Sequence, residues 1–373
     1  MTKQIQQRKD IIDNVEQVII KVGTRLLTDE SRIPILISEI AKIKARGIKV
    51  ALVSSGAVGV GMKLLGLKKR PTKLAEVQAL AAVGQGRLVS LYNEECCKFG
   101  FQAAQMLLTA EDLKDRERHL NVLNCLHSLW NNNILPIINE NDVVSVDELK
   151  FGDNDFLAGL VATMTKSDLT VILTTESGLR NKVDGVLTDR ISVVENLTDD
   201  LKAAASGTDN SDFSIGGMIS KLRAAETVCA AGENLWVADG RIDNILTQIF
   251  NGEDVGTLFT ATNTEPLHSK KRWIRFFSKP KGKIVIDEGA VKALTEKHKS
   301  LLPSGIVFIE GTFQRGDSVE VCDRFGNVVG CGLVNYSAAE CRKISGLNSE
   351  EVLNVLHQVT DSVVIHCDNL VID

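Results

Sequence analysis

Two lysine residues stand where a positive charge is stable only beside an anion. Lys21 lies within the run 18–22, which has the composition of a buried β-strand. Burying its ammonium group is costly unless an anion lies nearby, and the alternative is a side chain that reaches solvent from the strand end. Lys221 lies in the first turns of a predicted helix, where the helix dipole disfavours a lone positive charge. The pair therefore indicates an anionic ligand such as a phosphoryl group.

Glycine-rich turns occur at strand or helix ends, at residues 23–24, 54–61 and 214–217. Glycine lets a ligand come close to the backbone, and free N–H groups at a helix start bind anions. The spacing in 54–61, G-x-x-G-x-G, is neither the dinucleotide fingerprint nor a Walker A loop. We therefore expect phosphoryl transfer without a Walker motif. For residues 54–61 alone, tight packing of a helix on the sheet is an equally good interpretation.

A cluster of polar residues follows the fourth predicted strand. The segment 139–142 reads Asn-Glu-Asn-Asp, and 152–155 reads Gly-Asp-Asn-Asp at the start of a predicted helix. A capping role at the helix start explains Asp153 or Asn154 but not the other polar residues. The cluster gathers many hydrogen-bond acceptors at the carboxyl end of a strand, where open α/β sheets bind ligands.

Alternating strands and helices must position these residues. From residue 17 to about 255, short β-rich runs alternate with longer helical stretches. Because the strands are apolar on nearly every residue, we expect a parallel sheet with helices on both faces. The predicted strands are 18–22, 50–54, 102–108, 135–139, 169–174 and 235–238. The predicted helices are 34–46, 73–97, 116–131, 155–165 and 220–231.

The pattern changes after residue 259. We expect an N-terminal extension at 1–16, a large α/β domain at 17–259, a turn-rich and then basic linker at 260–281, and a small β-rich domain at 282–373. The strands predicted for the small domain are 283–287, 305–310, 317–323, 328–334 and 362–368. Its predicted helices are 288–299 and 337–344.

Composition limits the classes of function that remain. The 373 residues are enough for two globular domains, and the net charge of −5 gives no general attraction to nucleic acid or to a membrane surface. No apolar run reaches the roughly 18–20 residues of a membrane span.

The eight cysteines include no C-x-x-C pair and no histidine at zinc-ligand spacing, so we expect reduced thiols and assign no metal-ligating residue. With no signal-peptide pattern at the N-terminus, we expect a cytoplasmic protein.

Short motifs in a fixed order resemble those of the glutamate 5-kinase family. They are Lys21-Val22-Gly23-Thr24, Ser54-Ser55-Gly56-Ala57, Ala81-Ala82-Val83-Gly84-Gln85, Gln105-Met106-Leu107-Leu108-Thr109, Asn139-Glu140-Asn141-Asp142, Gly152-Asp153-Asn154-Asp155 and Gly216-Gly217-Met218. The segment 282–373 resembles the PUA domain that many members have, most clearly at 304–306 and 313–317. Single motifs are shared with other amino acid kinases, whereas the ordered set with this tail is specific.

The resemblance implies a fold and a reaction. The fold is an α/β, amino acid kinase-like sandwich with a central, mainly parallel sheet, followed by a small β-rich PUA-like C-terminal domain. The reaction is the phosphorylation of the γ-carboxylate of L-glutamate by ATP with Mg²⁺, the first step of proline biosynthesis. The family also implies a homo-oligomer, either a dimer or a tetramer, and feedback binding of proline.

The resemblance also assigns roles to residues. Lys21 and Lys221 would bind the transferred phosphoryl group from opposite sides, and Asp155 would hold both lysines. The implied substrate-binding residues are Ser55, Asp142, Asn154 and the neighbouring Asp153. The implied nucleotide-binding residues are Gly23, Thr24, Thr174, Thr175, Gly216, Gly217 and Met218. Family members usually have Thr-Asp where this chain has Thr174-Thr175, and Gly-Thr-Gly-Gly where it has Ser214-Ile215-Gly216-Gly217.

Two other functions remain open from the sequence. One is another amino acid kinase, acting on N-acetylglutamate, carbamate or a nucleoside monophosphate. The PUA-like tail and the pair of polar segments 139–142 and 152–155 argue against it. The other is RNA binding through that tail. Residues 279–373 contain ten lysines and arginines against thirteen aspartates and glutamates, which is the wrong sign for binding a phosphate backbone. The basic run 270–275, with Trp273, offers stacking on a base or a contact between domains or subunits.

Overall fold

The computed structural model describes residues 3–27, 29–144, 154–183, 186–198, 201, 217–262, 268–356 and 363–372. The chain divides into two compact units, Met1–Pro266 and Leu267–Asp373. Among the described residues, no helix has the length and apolar character needed to cross a membrane. All eight cysteines lie in the described ranges, and none of them is joined to another in a disulfide there.

The first unit is built on a mainly parallel sheet. Its strands are β1 (Gln17–Val22), β2 (Lys49–Ser54), β3 (Ala103–Leu108), β4 (Leu135–Glu140), β5 (Leu169–Thr174), β6 (Arg180–Val183), β7 (Val186–Arg190), β8 (Val193–Val194), β9 (Asn234–Asp239) and β10 (Thr257–Phe259). Eight strands form one sheet in the order β3-β4-β2-β1-β5-β9-β10-β8, while β6 and β7 pair separately. The neighbours in the large sheet are parallel except β9 and β10. The predicted sheet is confirmed.

Helices cover both faces of this sheet. They are α1 (Lys3–Asp13), α2 (Thr24–Leu27), α3 (Arg32–Ala45), α4 (Ala57–Leu64), α5 (Leu74–Cys97), α6 (Ala110–Lys114), α7 (Arg116–Asn131), α8 (Asn154–Thr165), α9 (Met218–Ala230) and α10 (Ile245–Phe250). Val18 and Ile20 of β1 lie in one apolar core with α3 and α5. Because side chains alternate along a strand, Lys21 lies on the opposite face, where α8 packs against β1 and α9 packs beside α8.

Helix α4 approaches α5 through two glycines. A Cβ atom at Gly61 would lie 2.0 Å from the carbonyl oxygen of Leu80, and one at Gly84 would lie 1.8 Å from that of Ala57. No side chain fits at such distances, so these glycines are required for packing. Gly56 has a φ of +100° where the chain leaves β2 for α4, a conformation that favours glycine. Gly61 therefore serves close packing, as one interpretation of the segment 54–61 predicted, but the packing is of helix α4 on helix α5 and not of a helix on the sheet.

The segment predicted as an N-terminal extension contains α1, which is anchored by one buried arginine. Arg8 is fully buried, with its guanidinium 4.7 Å from the ring centroid of Trp236. It donates hydrogen bonds to the carbonyl oxygens of Glu253 and Ser192, both at 2.7 Å, and pairs with Asp254 at 2.8 Å. Burial lowers the pKa of Arg8 to about 10. Helix α1 is thereby attached to the segments that flank β8 and β10.

The second unit is a β-rich domain, as predicted. Its strands are β11 (Gly282–Ile286), β12 (Ile306–Gly311), β13 (Ser318–Cys322), β14 (Val328–Leu333) and β15 (Leu370–Ile372), in the order β12-β11-β13-β14-β15. Its helices are α11 (Ser269–Phe276), α12 (Glu288–Thr295), α13 (Ala338–Ile344) and α14 (Ser349–Val355). The strand predicted at 362–368 is wrong. In its described part, Ile365 makes an isolated bridge with Leu301, Cys367–Asn369 is a 3-10 turn, and the strand follows the turn.

The basic and aromatic run 270–275 forms α11, which packs against β14 and β15 within the second unit. Its Arg272 and Trp273 are buried. Stacking on a nucleic-acid base requires an accessible ring face, and the buried indole of Trp273 does not offer one. The structure therefore gives no support to the base-stacking interpretation of this run.

Candidate active site

One buried carboxylate joins the two lysines. Asp155 lies in the first turn of α8 and is fully buried, and Lys21 and Lys221 are each 5% exposed. The ammonium group of Lys21 pairs with Oδ1 of Asp155, and that of Lys221 lies 3.0 Å from Oδ2. Ser220 donates a hydrogen bond of 3.3 Å to the same Oδ2 atom. Three charged residues from distant parts of the sequence thus form one group with a net charge of +1.

The two lysines keep Asp155 ionised. Burial alone raises the pKa of a carboxyl group, because it disfavours the charged form. The ammonium groups of Lys21 and Lys221 outweigh burial and hold the pKa of Asp155 below its ordinary value. The position of Asp155 near the amino end of α8 adds a favourable interaction with the helix dipole. The carboxylate therefore stays a fixed negative charge at neutral pH, and both lysines are held beside it.

Amide and hydroxyl groups gather next to this ion pair. Asn154, the first residue of α8, donates from Nδ2 to Ser55 Oγ at 2.8 Å and to Asn139 Oδ1 at 3.0 Å. Asn139 is one residue from the end of β4, and the backbone N–H of Ser55 donates to Val22 at the end of β1. The carboxyl ends of β1, β2 and β4 therefore converge on Asn154. The structure brings together the predicted substrate-binding residues Ser55 and Asn154.

Asp142 lies in the turn that follows β4 and is half-buried. The backbone N–H of Asn141 donates to Leu108 at the end of β3, and the N–H of Val144 donates back to Asn141, so the chain turns at the edge of the sheet. Asp153, the other predicted substrate-binding residue, lies outside the described residues. The role of Asp142 stays a prediction, with its backbone at the same sheet edge as Asn139 and Ser55.

Gly23 and Thr24 follow β1 directly. The backbone N–H of Gly23 donates to the carbonyl oxygen of Leu173 in β5, and a Cβ atom at Gly23 would lie 3.7 Å from Lys21 Nζ. The backbone thus passes beside the Lys21 ammonium group. Thr24 is exposed and begins the short helix α2. A ligand held by Lys21 would therefore meet the backbone at Gly23.

The predicted nucleotide residues lie at two ends of secondary structure. Thr174 ends β5 and Thr175 follows it, both half-buried, and β5 is the neighbour of β1 in the sheet. Gly217 precedes α9 and Met218 begins it, and the carbonyl oxygen of Gly217 lies 3.4 Å from Lys221 Nζ. Gly216 lies outside the described residues. These placements are compatible with a nucleotide near both lysines, and the roles of the residues stay predictions.

Sequence reasoning missed an ion pair beside Thr175. Asp239 ends β9, and Arg241 binds both of its carboxylate oxygens, with the shortest contact at 2.7 Å. Arg241 also donates a hydrogen bond of 2.6 Å to the carbonyl oxygen of Thr175. The signal was present in the sequence, because Asp239 is a charged residue at the end of an apolar strand. Its partner at position 241 and the link to Thr175 appear only when β5 and β9 pair.

Comparison with known protein families matches both units. Residues 16–239 match the family described as "Amino acid kinase family", and residues 282–356 match the one described as "PUA domain". The first match covers more than half of the chain.

Individual relatives match over nearly the full length. A protein of Thermoanaerobacter sp. (strain X514) named "Glutamate 5-kinase" is 43% identical over 364 residues, which is 95% of this chain and 97% of the relative. A protein of the same name from Desulfotalea psychrophila is 42% identical over 376 residues, which is 99% of this chain and 100% of the relative. Among solved structures, a carbamate kinase from Giardia lamblia bound to AMP-PNP aligns with a TM-score of 0.48 and 20% identity, over 66% of this chain and 99% of that one.

Proposed function

The chain belongs to the amino acid kinase family and, within it, to the glutamate 5-kinases, and from this we propose that its two buried lysines act on the phosphoryl group passed to glutamate. The reaction is the ATP-dependent phosphorylation of the γ-carboxylate of L-glutamate to glutamyl 5-phosphate, the first step of proline biosynthesis. The observation that carries the proposal is the shared carboxylate of Asp155, which binds Lys21 through one oxygen and Lys221 through the other.

The chemistry of the substrates explains why lysines are needed. A glutamate γ-carboxyl group ordinarily has a pKa of about 4.3, so it is ionised at neutral pH and needs no general base. The main obstacle is repulsion between this carboxylate and the γ-phosphate of ATP. Catalysis then depends on positioning and on positive charge at the transferred group. Lys21 and Lys221 supply that charge, and Asp155 fixes both ammonium groups in place before the substrates bind.

Binding of glutamate is assigned to the neighbouring polar residues. Ser55 and Asn154 are joined by a hydrogen bond of 2.8 Å at the carboxyl ends of β1, β2 and β4, and Asn154 precedes Asp155 in the sequence. Asp142, at the same sheet edge, offers a carboxylate that suits the α-ammonium group of the substrate. Asp153, outside the described residues, is assigned to the same pocket from the family resemblance.

Nucleotide binding is assigned to the residues around the lysines. These are Gly23, Thr24, Thr174, Thr175, Gly216, Gly217 and Met218, of which all but Gly216 are described. Asp155 does not suit a metal ion, because both of its oxygens bind lysines. We therefore propose that Asp155 holds the lysines and not the metal ion; Mg²⁺ held by the phosphate oxygens of ATP would offset part of their negative charge.

Further proposals concern the state of the enzyme. We propose a homo-oligomer, a dimer or a tetramer, with feedback binding of proline, and both rest on the family resemblance alone. A cytoplasmic location is supported by the eight free thiols, which are typical of a reducing compartment. We propose that the catalytic domain comprises residues 17–259 and the PUA-like domain residues 282–373. The structure divides the chain into compact units between Pro266 and Leu267.

One assay tests the proposed function. The purified chain is incubated with ATP, Mg²⁺ and L-glutamate, ADP release is followed, and the acyl phosphate is trapped with hydroxylamine. We expect ADP release that depends on glutamate, with an equal amount of γ-glutamyl hydroxamate. Carbamate, N-acetylglutamate and nucleoside monophosphates serve as alternative acceptors. Faster ADP release with any of these, or no hydroxamate with glutamate, would contradict the proposal.

A further inference from the structure

A buried glutamine on α5 extends the amide cluster away from the site. Gln85 is 6% exposed, and its Oε1 atom accepts a hydrogen bond of 2.8 Å from Nδ2 of Asn139. Its own Nε2 atom is buried without a hydrogen-bond partner among the described residues. A buried amide with an unsatisfied donor is costly, so a role for Gln85 beyond filling space is expected. The mechanism described above does not use this residue.

Gln85 begins a chain of three amides that ends at Asn154, a residue proposed above to bind the substrate. Asn139 donates to Gln85 and accepts, through Oδ1, from Nδ2 of Asn154 at 3.0 Å. Asn154 in turn donates to Ser55 Oγ at 2.8 Å. The order along the chain is therefore acceptor on Gln85, donor and acceptor on Asn139, and donor on Asn154.

Two backbone groups fix the direction of this chain. The backbone N–H of Glu140 donates to Asn139 Oδ1 at 2.9 Å, which requires an oxygen at that place. The carbonyl oxygen of Ser54 lies 3.4 Å from Asn154 Nδ2, which requires a nitrogen there. Neither amide can be reversed without placing like groups together. The Nδ2 atom of Asn139 must then find an acceptor, and Gln85 Oε1 is the acceptor it contacts.

The fixed direction leaves one acceptor unpaired at the Asn154 end of the chain. The side chain of Asn154 makes its hydrogen bonds through Nδ2, and within the described part of the chain its buried Oδ1 atom has no hydrogen-bond partner. An unpaired carbonyl oxygen needs an N–H or O–H donor. At neutral pH both carboxylates of L-glutamate only accept hydrogen bonds, so the α-ammonium group is the donor that the substrate can supply.

We propose that Gln85 is a positioning residue which, through Asn139, holds Asn154 Oδ1 for the α-ammonium group of the substrate. It thereby selects an α-amino dicarboxylate over a plain dicarboxylate of the same length. This inference rests on the proposed function, because it takes glutamate as the substrate. It adds that the α-ammonium group of glutamate is the part that is recognised, and that the buried Gln85 makes this recognition possible.

The test compares L-glutamate with glutarate, which has the same carbon chain and lacks the α-ammonium group. The Gln85→Met variant keeps the side-chain length but offers no hydrogen bond. In this variant we expect KM for L-glutamate to rise about tenfold, which is the effect of losing one hydrogen bond to a charged group. The inhibition constant of glutarate, kcat and KM for ATP should stay within about twofold of wild type. Gln78→Met, on the same helix and half-buried, is the matched control and should change none of these.

Other variants and outcomes complete the test. Gln85→Glu keeps an oxygen for Asn139 and should restore KM for L-glutamate to within about threefold of wild type. If Gln85→Met does not fold, Gln85→Asn replaces it, because its shorter amide cannot reach Asn139 and the same selective loss is expected. An equal rise in KM for L-glutamate and in the inhibition constant of glutarate, or no change in either, would overturn the inference. Failure of wild-type enzyme to phosphorylate glutamate would instead overturn the proposed function.

Discussion

The ammonium group of Lys221 lies 3.0 Å from Oδ2 of the buried carboxylate of Asp155. Lys21 occupies the other oxygen, so one side chain at the start of α8 sets the positions of two cations that come from β1 and α9. A buried carboxylate between two ammonium groups resists protonation, as the lowered pKa of Asp155 indicates. The fold itself therefore fixes both ammonium groups, as their proposed role in phosphoryl transfer requires.

Removal of the Asp142 carboxylate should affect glutamate more than ATP. In Asp142→Asn, we expect KM for L-glutamate to rise about 10–150-fold, because the variant loses a hydrogen bond between two charged groups. KM for ATP should stay within about twofold of wild type. Steady-state kinetics with each substrate varied in turn measure both values. Asp13→Asn, an exposed aspartate on α1, is the control. An equal rise in both KM values would assign Asp142 a structural role.

Loss of the Arg241 guanidinium should affect ATP and spare glutamate. Arg241 binds Asp239 and the carbonyl oxygen of Thr175, so Arg241→Met removes this link between the ends of β5 and β9. We expect KM for ATP to rise about fivefold to tenfold, which corresponds to the free energy of one hydrogen bond, and KM for glutamate to stay unchanged. Arg118→Met removes an exposed ion pair with Asp112 elsewhere in the first unit and is the control. A glutamate KM that rises with that of ATP would refute this assignment.

Stability should fall in mild acid through His119. Its Nδ1 atom lies 3.1 Å from the carbonyl oxygen of Leu113, and burial lowers the pKa of the imidazole to about 4. The unfolded chain takes up this proton near pH 6.5, so between about pH 6.5 and pH 4 the unfolded state binds more protons and the free energy of unfolding falls as the pH falls. Above pH 6.5 both states are neutral and the effect is absent.

Urea unfolding near pH 7 and near pH 5 measures this contribution. The loss of unfolding free energy between the two pH values should be smaller in His119→Gln than in wild type by up to about 1 kcal/mol, after allowance for solvent screening. His127→Gln, exposed on the same helix α7, should lose as much as wild type. If the His119→Gln variant kept the wild-type pH dependence, burial would not lower the pKa of His119, and the prediction would be wrong.

The first unit alone should phosphorylate glutamate. All of the candidate site residues lie before Pro266, and the first unit has its own apolar core. We expect a chain that ends at residue 266 to fold and to keep kcat and KM for glutamate within about threefold of wild type, because no assigned group is removed. Circular dichroism confirms folding before the assay. A folded but inactive truncation would show that the second unit completes the site.

Several features were predictable because local sequence alone determines them. Lys21 interrupts an apolar strand, and such a residue is predicted to meet an anion whatever the rest of the chain does. The anion that the structure shows is Asp155, where the sequence-based expectation was a phosphoryl group, with Asp155 assigned only through the family resemblance. The parallel sheet followed from continuous apolar strands separated by helices.

Other features depended on contacts between distant segments. Gln85 and Asn139 are 54 positions apart, and nothing in either segment shows that their amides meet. Arg8 belongs to a polar N-terminal segment, yet its guanidinium is buried against Trp236 and carbonyl oxygens near β10. The sequence around Gly61 is typical of both a ligand-binding loop and a packed helix. Only the structure shows that a Cβ atom at Gly61 would lie 2.0 Å from the carbonyl oxygen of Leu80.

Trp273 lies in a basic run that is typical of a protein surface. The sequence does not show that this run forms a helix packed on the strands of the second unit, with Trp273 buried.

The rate of γ-glutamyl hydroxamate formation at saturating ATP and glutamate tests the central claim most directly. It is measured in wild type, Lys21→Met and Lys221→Met, with Lys49→Met, an exposed lysine at the opposite end of β2, as the control. The account predicts that each site variant folds and loses about 10²–10³ in rate, because each removes a charge aimed at the transferred phosphoryl group, while the control keeps the wild-type rate. A near wild-type rate in a folded Lys21→Met or Lys221→Met enzyme would contradict it.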